Sequence, residues 1–251
     1  MSFNNRELQQ MIATMMDWDL SQYIYRADGF LAKDGRTMIF NLNNAREFKK
    51  EQKTNRHSAL AIENLLPLNI QNLSHKRNNT NKLVVTFSYD YRLGKFWKNP
   101  QKYIPLLQSA CVVATPDFSL NPLMDFPEYL HNVYKNRWLG CLWQDYGILT
   151  IPTIGWTTAE WDYLSFSGVE KGSVVVISTI GSKYDKKFFL RGYNEMLRRI
   201  EPPLIIVYGD MLPEMTGRFI NFRYEDSFKR KDSLCVQDVL FDISPIFEVK
   251  G

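Results

Sequence analysis

Short runs of apolar, β-branched residues recur along the chain from residue 83 onward, and each run ends in polar residues or glycine. They are LVVTFSYD (83–90), ACVVATPD (110–117), ILTIPTIGW (148–156), SVVVISTIG (173–181) and PLIIVYGD (203–210). Residues of this type favour β-strands. Because the runs are continuously hydrophobic rather than alternating, the strands are predicted to be covered on both faces, as in a parallel sheet. FINFRYE (219–225) is compatible with a last edge strand.

The segments between these runs have a helical pattern. In DFPEYLHNVYKNRWLGCLWQDYG, Asp125 and Glu128 have the spacing of a capping box, and an apolar stripe follows until Gly147. KKFFLRGYNEMLRRIEPP has a similar stripe before two prolines, and TTAEWDYLSF (157–166) predicts a shorter helix with a threonine cap. This alternation predicts an α/β fold, with a mostly parallel sheet of about five to six strands and crossover helices. The sheet is either open or like part of a barrel.

The first 81 residues differ from the rest of the chain in composition and in their pattern of apolar residues. RELQQMIATMMDW (6–18) carries Leu8, Met11, Ile12 and Met15 on one helical face, whereas residues 44–81 are polar, basic and rich in asparagine. We therefore predict three segments: a helical, basic N-terminal extension (1–81), an α/β domain (82–225) and a C-terminal tail packed on that domain (226–251).

Composition indicates a globular protein. The chain has 251 residues, of which 45% are hydrophobic and 23% charged, enough to bury a sizeable core. No apolar run approaches the ~20 residues of a membrane span, and the start, MSFNNRELQQ, lacks the order of a signal peptide. We therefore expect a cytoplasmic protein with no membrane partner. The three cysteines and three histidines are too scattered to predict a disulfide framework or a zinc site.

Positive charge is concentrated near the N-terminal side. Between Asn41 and Lys102 there are twelve Lys or Arg and four Asp or Glu, a local charge of +8, and the rest of the chain has nineteen against twenty-three, or −4. The segment ends in RLGKFWKNPQKY, where cations alternate with aromatic residues, as in single-stranded nucleic-acid binders. The alternative is a solvated basic face with its aromatic residues packed on the sheet. The nucleic-acid candidates are Lys49, Lys50, Lys76, Arg77, Arg92, Lys95 and Lys98 on phosphates, with Trp97 stacking on bases.

Polar residues at the predicted strand ends are the candidates for chemistry, because parallel α/β folds bind ligands at the carboxyl ends of their strands. Three carboxylates there could bind a divalent metal such as Mg²⁺, the only cofactor that we consider: Asp90, Asp117 and Asp210. The catalytic candidates are Asp117, Arg137, Trp156 and Ser178. Alternatively, aspartate and serine after a strand cap the next helix or turn, and Arg137 forms an ion pair with Asp117, Asp145 or Glu160.

Several familiar enzyme signatures are absent from the sequence. It contains no GxGxxG, Walker-type GxxxxGK, GxSxG or HExxH motif. A nucleotide-phosphate loop and the common hydrolase motifs therefore have no support.

Five motifs in order resemble a family of bacterial and phage proteins known only as a domain of unknown function. They are TPDFSL, NRWLGCLWQDYG, IPTIGW, GSVVVISTIG and GYNEMLRRI, and the resemblance covers about residues 84–224. It implies work inside a bacterial cell and no particular activity. The positions that belong to the recurring motifs are Asp117, Phe118, Ser119, Asn136, Arg137, Trp138, Gln144, Trp156, Ser178 and Thr179.

Three hypotheses on function follow. The first is a phage or mobile-element accessory protein that contacts DNA or RNA through the basic and aromatic segment. The second is a hydrolase, either a metal-dependent phosphodiesterase or a glycosidase-like enzyme, with its site at the strand ends. The third is a protein-binding module that acts on a host factor through the first amphipathic helix.

Overall fold

The computed structural model describes residues 23–25, 31–33, 65–157, 162–182 and 184–228. Two short strands, β1 (Tyr23–Tyr25) and β2 (Leu31–Lys33), pair antiparallel. The helix expected at 6–18, the candidates Lys49 and Lys50, and most of the expected C-terminal tail lie outside the described residues. The division into three segments stays a prediction.

Seven further strands run parallel to one another and follow chain order. β3 (Leu66–Asn69), β4 (Lys82–Val85), β5 (Val112–Ala114) and β6 (Thr150–Ile151) form one sheet, and β7 (Val175–Ser178), β8 (Ile205–Tyr208) and β9 (Phe219–Phe222) form another. A parallel bridge between Thr153 and Val176 joins the two sheets. The α/β fold with a parallel sheet is therefore confirmed, and each apolar run that we identified contains one of the strands β4 to β8.

Strand β3 lies within residues 44–81, which the sequence analysis assigned to the polar, basic N-terminal extension. Its four residues are buried, and it pairs parallel with β4, Leu66 opposite Lys82 and Asn69 opposite Val85. The short run LLPLNI contains a proline, which is tolerated where one side of a strand lacks a neighbour. The sheet thus begins before residue 82, where we had placed the start of the α/β domain.

The seven strands curl into a barrel-like arrangement. In a flat sheet, β4 and β8 would lie about 19 Å apart, since neighbouring strands are about 4.8 Å apart. Instead the ring of Phe87, just beyond β4, stacks on Tyr208 of β8 with centroids 4.8 Å apart. The Tyr208 hydroxyl also lies near the Asn69 side chain of β3 and is hydrogen-bonded to Ser227 at 2.5 Å. One apolar cluster accordingly fills the concave side, with Leu83, Val85, Val112, Ala114, Ile151, Val176, Ile206, Tyr208, Ile220 and Phe222.

Four α-helices occur in the described residues. They are α1 (Asp90–Lys98), α2 (Ile104–Leu107), α3 (Phe126–Asp145) and α4 (Lys186–Ile200). Single-turn 3₁₀ helices occupy Ile70–Asn72, Gln101–Tyr103, Asp162–Phe166 and Tyr224–Phe228. The helix predicted over 157–166 is represented by the third of these, and residues 158–161 lie outside the described residues.

The helix boundaries follow from local chemistry. Asp185 caps α4 by accepting a hydrogen bond from the backbone N–H of Phe188 at 2.9 Å. Asp125 occupies the same position before α3, but its side chain makes no capping hydrogen bond, so the predicted capping box does not form. After α3 the chain turns at Gly147, whose φ of 74° suits glycine.

The convex side of the sheet is covered by these helices. Val84 and Val113 pack in one cluster with residues of α1 and α3. Val175 and Ile205 pack in another with the stripe predicted for α4, which includes Phe189 and Tyr193. Both faces of the strands are therefore buried, as their continuous hydrophobicity predicted.

Replacing Gly192 by alanine should destabilise the protein. A Cβ at this position of α4 would collide with the indole of Trp156, so overpacking is expected to cost ~1–3 kcal/mol of unfolding free energy. The matched control is Gly94→Ala in α1, where a Cβ meets no atom within 4 Å. That variant should instead gain ~0.5–1 kcal/mol from helix propensity. Urea unfolding of both variants checks the opposite signs, and equal effects would contradict the close approach.

Candidate functional site

A cleft of about 390 Å³ opens at the carboxyl ends of the parallel strands. Its walls come from the loops that follow β4, β5, β6 and β7 and from the first turn of α4. The volume lies in the usual range for small-molecule sites, ~300–1,000 Å³. The lining residues are Phe87, Asp117, Ser119, Leu120, Ile154, Gly155, Trp156, Ser178, Ile180, Gly181, Ser182, Tyr184, Asp185, Phe188 and Phe189.

Asp117 is the cleft residue with the most perturbed acidity. Burial and, secondly, the negative charge of Asp90 raise the pKa of its carboxyl group from 3.8 to about 7. The residue as a whole is half-buried, which places this carboxyl within reach of a ligand. A carboxyl group that is partly protonated near neutral pH can both donate and accept a proton.

Asp90 holds the loop that follows Asp117. Its carboxylate accepts a hydrogen bond from the backbone N–H of Ser119 at 3.1 Å and another from the Ser119 hydroxyl at 3.0 Å. The Ser119 carbonyl in turn accepts a hydrogen bond from the Asn132 amide of α3 at 2.8 Å. These bonds hold Asp90, the first residue of α1, close to Asp117.

A buried polar network lies beneath Asp117 and sets its position. The Asn136 amide of α3 donates to the Pro116 carbonyl at 2.7 Å, and its oxygen accepts from the Thr115 hydroxyl at 2.9 Å. The Thr115 carbonyl accepts from the hydroxyls of Thr86, at 2.5 Å, and Thr153, at 2.7 Å. These hydrogen bonds connect the ends of β4, β5 and β6 with one another and with α3, at the residues directly before Asp117.

Arg137 is buried next to this network and is used structurally. Its guanidinium donates to the carbonyls of Thr153 at 3.1 Å, Ser165 at 2.6 Å and Ser167 at 3.1 Å, and it also contacts the Asn136 side-chain oxygen. Burial lowers its pKa to about 10. Within residues 65–157 it forms no ion pair with Asp117 or Asp145, and Glu160 lies outside the described residues. Arg137 does not line the cleft.

A small void of about 10 Å³ separates Asp117 from Arg137 and Asn136. This is about the space that one buried water needs, and carboxyl, amide and guanidinium groups surround it. The void therefore offers room for one bridging water between Asp117 and the buried polar network.

Trp156 and Ser178, the other two catalytic candidates, line the same cleft as Asp117. The Trp156 ring packs against Phe189 with centroids 5.1 Å apart, which leaves a large aromatic surface in the wall. The Ser178 hydroxyl accepts a hydrogen bond from the N–H of Ile180 at 3.1 Å and lies 3.3 Å from the Tyr208 carbonyl. Ser178 thus stabilises the turn after β7, the structural alternative that its sequence position offered.

The three carboxylates proposed for a metal are not assembled as a set. Asp90 and Asp117 are neighbours, whereas Asp210 is exposed and does not line the cleft. No group of three or more His, Cys, Asp or Glu suited to a metal ion occurs among the described residues.

The predicted nucleic-acid residues separate into exposed and buried ones. Lys76, Arg77, Lys95 and Lys98 are exposed. Trp97, expected to stack on bases, is 9% exposed and packs edge-on against Trp138 with centroids 5.4 Å apart. It belongs to the core between α1 and α3, because the helical period places it on the same face as Leu93.

Exposed aromatic residues that the sequence analysis did not single out lie at the start of α1. Tyr89 and Tyr91 are 69% and 73% exposed, and their rings stack with centroids 5.8 Å apart. The Arg92 guanidinium lies 5.7 Å and 5.4 Å from the two ring centroids, and its Nε donates to the Tyr91 hydroxyl at 2.8 Å. The sequence YDYR (89–92), at the end of a predicted strand, is the feature from which these exposed aromatic residues could have been predicted. The cleft residues Phe87, Tyr184 and Asp185 were also missed, since nothing in their local sequence marks them.

The comparison with protein families matches residues 48–225, more than half of the chain, to the domain of unknown function DUF4417. The chain belongs to this family. The resemblance read from the sequence motifs is thereby confirmed.

Two curated relatives are phage proteins. The chain is 38% identical over 126 residues to the Gene 1 protein of Mycobacterium phage D29, which covers 49% of this chain and 47% of the relative. It is also 38% identical over 128 residues to the Gene 1 protein of Mycobacterium phage L5, covering 50% and 56%. The chain thus spans about half the length of these relatives. No solved structure matches it. In the part of the chain that the structure describes, no helix combines the length and hydropathy required to cross a membrane.

Replacing Asp117 by asparagine should stabilise the protein in a pH-dependent way. Because the folded pKa is raised to about 7, the folded state binds more protons than the unfolded state between about pH 4 and 7. The free energy of unfolding therefore falls as pH rises through this window. The uncharged amide side chain of the Asp117→Asn variant does not titrate, so the variant avoids this loss. At 1.36 kcal/mol per pKa unit the gain at pH 8 is at most about 4 kcal/mol, and the solvent contact of a half-buried residue reduces it.

Urea unfolding at pH 4, 6 and 8 measures this effect. The expected gain is near zero at pH 4 and largest at pH 8. Asp125→Asn, at an exposed position in the same loop, is the matched control and should leave the pH dependence unchanged. An Asp117→Asn variant that is destabilised at every pH would show instead that the carboxylate is a structural hydrogen-bonding group.

Replacing Arg137 by methionine should lower the unfolding free energy by at least about 3 kcal/mol, because buried carbonyls would lose their donors. Arg191→Met on the exposed side of α4 is the control and should change stability by less than about 0.5 kcal/mol. Chemical denaturation distinguishes the two variants. A stable Arg137→Met protein would contradict the structural role.

Proposed function

We propose that the protein is a hydrolase in which Asp117 is the general acid–base. The observation that carries this proposal is the position of the Asp117 carboxyl, near Asp90 in the cleft at the carboxyl ends of the strands, where burial raises its pKa to about 7. Perturbed acids in clefts are characteristic of catalytic sites, and this edge of a parallel sheet is where α/β enzymes bind substrates.

Asp117 would give its proton to the leaving group or take one from the attacking water. Burial and, secondly, the negative charge of Asp90 raise the pKa of Asp117, so that it is partly protonated near neutral pH. Trp156 and Phe188 offer aromatic surface for a ring of the substrate. Binding of a divalent cation such as Mg²⁺ by Asp90 and Asp117 is the alternative to this acid–base role, because both carboxyl groups would have to be deprotonated to hold the ion.

The phage relatives support action inside an infected bacterium. We propose that the enzyme works in the host cytoplasm. The hypothesis of a module that binds a host protein rests on the first amphipathic helix, which lies outside the described residues, and it stays a prediction.

Nucleic-acid binding is the second candidate function. The specific observation in its favour is the exposure of Lys95 and Lys98 on α1 and of Lys76 and Arg77 on the loop before β4. Exposed cations of this kind bind phosphates irrespective of sequence. Trp97 takes no part in this proposal, because it is core.

Hydrolysis can be tested with a panel of oligonucleotides, nucleosides and glycosides, each with Mg²⁺ and with EDTA. We expect turnover of one class, with a pH–rate profile that inflects near pH 7 and a rate at least about 100-fold lower for Asp117→Asn. Asp125→Asn serves again as the control with unchanged rate. If Asp117→Asn retains the full rate, the general acid–base assignment is wrong.

A further inference from the structure

Exposed apolar side chains are concentrated at the end of the barrel where the cleft opens. Among the described residues, eight large apolar side chains are exposed. Tyr146 lies at the opposite end, after α3. The other seven follow strand ends: Tyr89, Tyr91, Leu123, Phe126, Ile180, Tyr184 and Tyr224. Exposed apolar side chains concentrated at one end of a fold indicate a contact surface for another molecule.

Tyr89 and Tyr91 form one group in this set, together with the neighbouring Arg92. The two rings stack on each other, and the guanidinium lies over both, yet each ring remains more than two-thirds exposed. Stacking within the group fixes the orientation of the rings before any ligand binds, which reduces the entropy lost on binding. Rings held in this way suit stacking on a flat partner.

The charge on the same side of α1 identifies the partner. Tyr91, Lys95 and Lys98 have the spacing i, i+4, i+7 and form one exposed ridge, opposite the buried face that carries Leu93 and Phe96. The acidic residue of the helix, Asp90, is held by Ser119. An aromatic pair followed by cations complements unpaired bases followed by phosphates.

We propose that Tyr89, Tyr91 and Arg92 form a stacking platform for single-stranded nucleic acid, with phosphates of the same strand bound by Lys95 and Lys98. The platform adjoins the cleft, since Phe87 in the cleft wall lies two residues before Tyr89 and Ser119 in the wall is bonded to Asp90. This inference rests on the proposed function, because it names single-stranded DNA or RNA as the substrate class of the Asp117 cleft.

The test is fluorescence anisotropy with the full chain and three labelled probes: a single-stranded DNA, a single-stranded RNA and a DNA duplex of equal length. One of the single strands should bind more tightly than the duplex. The double variant Tyr89→Ala/Tyr91→Ala should weaken that binding at least about tenfold, since each stacked base contributes substantially. Both side chains are exposed, so the variant should fold, and Tyr146→Ala is the matched control with unchanged affinity.

Salt dependence tests the cations separately. Replacing Lys95 and Lys98 by glutamine should reduce the slope of log affinity against log salt by about 1.4, from ~0.7 per phosphate contact on a single strand. Lys171→Gln, an exposed lysine before β7 at the opposite end of the barrel, should leave the slope unchanged. Equal binding of duplex and single strands, or a double tyrosine variant that binds within twofold of the intact protein, would overturn the platform.

The outcomes separate this inference from the proposed hydrolase. Binding without cleavage of any probe would contradict the hydrolase and leave the platform standing. Turnover of a small substrate without oligonucleotide binding would refute the platform alone.

Discussion

The site depends on the hydrogen bonds that α3 makes to the ends of two parallel strands, β5 and β6. Asn136 bonds Pro116 and Thr115, and Arg137 bonds the carbonyl of Thr153 and those of the 3₁₀ segment around Ser165. Backbone carbonyls at strand ends have lost their sheet partners, and without donors they would be costly to bury. A planar guanidinium with several donors can serve carbonyls from different loops at once, which an ammonium group cannot do.

The curled sheet provides the frame on which this network acts. Because the strands bend until Phe87 meets Tyr208, loops that are far apart in sequence converge at one end. The concave side is filled by branched and aromatic side chains, so the barrel is a packed core rather than a channel. The cleft is thus confined to the loops, where polar groups remain in contact with solvent.

Stability and reactivity are opposed at Asp117. Burial and the nearby carboxylate of Asp90 raise the free energy of the charged form of Asp117. The hydrogen bond from Asn136 to the Pro116 carbonyl holds the backbone directly before Asp117 in place. Ser178 and Arg137 differ from Asp117, because their polar side-chain atoms form hydrogen bonds with nearby backbone groups and thereby stabilise the fold. Among the four residues first considered for catalysis, Asp117 and Trp156 are therefore the ones that offer chemistry or surface to a ligand.

The sequence by itself determined the strands β4 to β8 and the helices α3 and α4, because continuous β-branched runs and 3.6-residue stripes report burial directly. It also placed Asp117 at a strand end, which is a local property. It did not predict β3, a four-residue strand whose only distinction is its partner β4. Nor did it distinguish buried Trp97 from exposed Tyr91, since both occur in the same basic, aromatic segment. Burial, the proximity of Asp117 to Asp90 and the partners of Arg137 all depend on residues that are distant in sequence. Only the tertiary structure decides them.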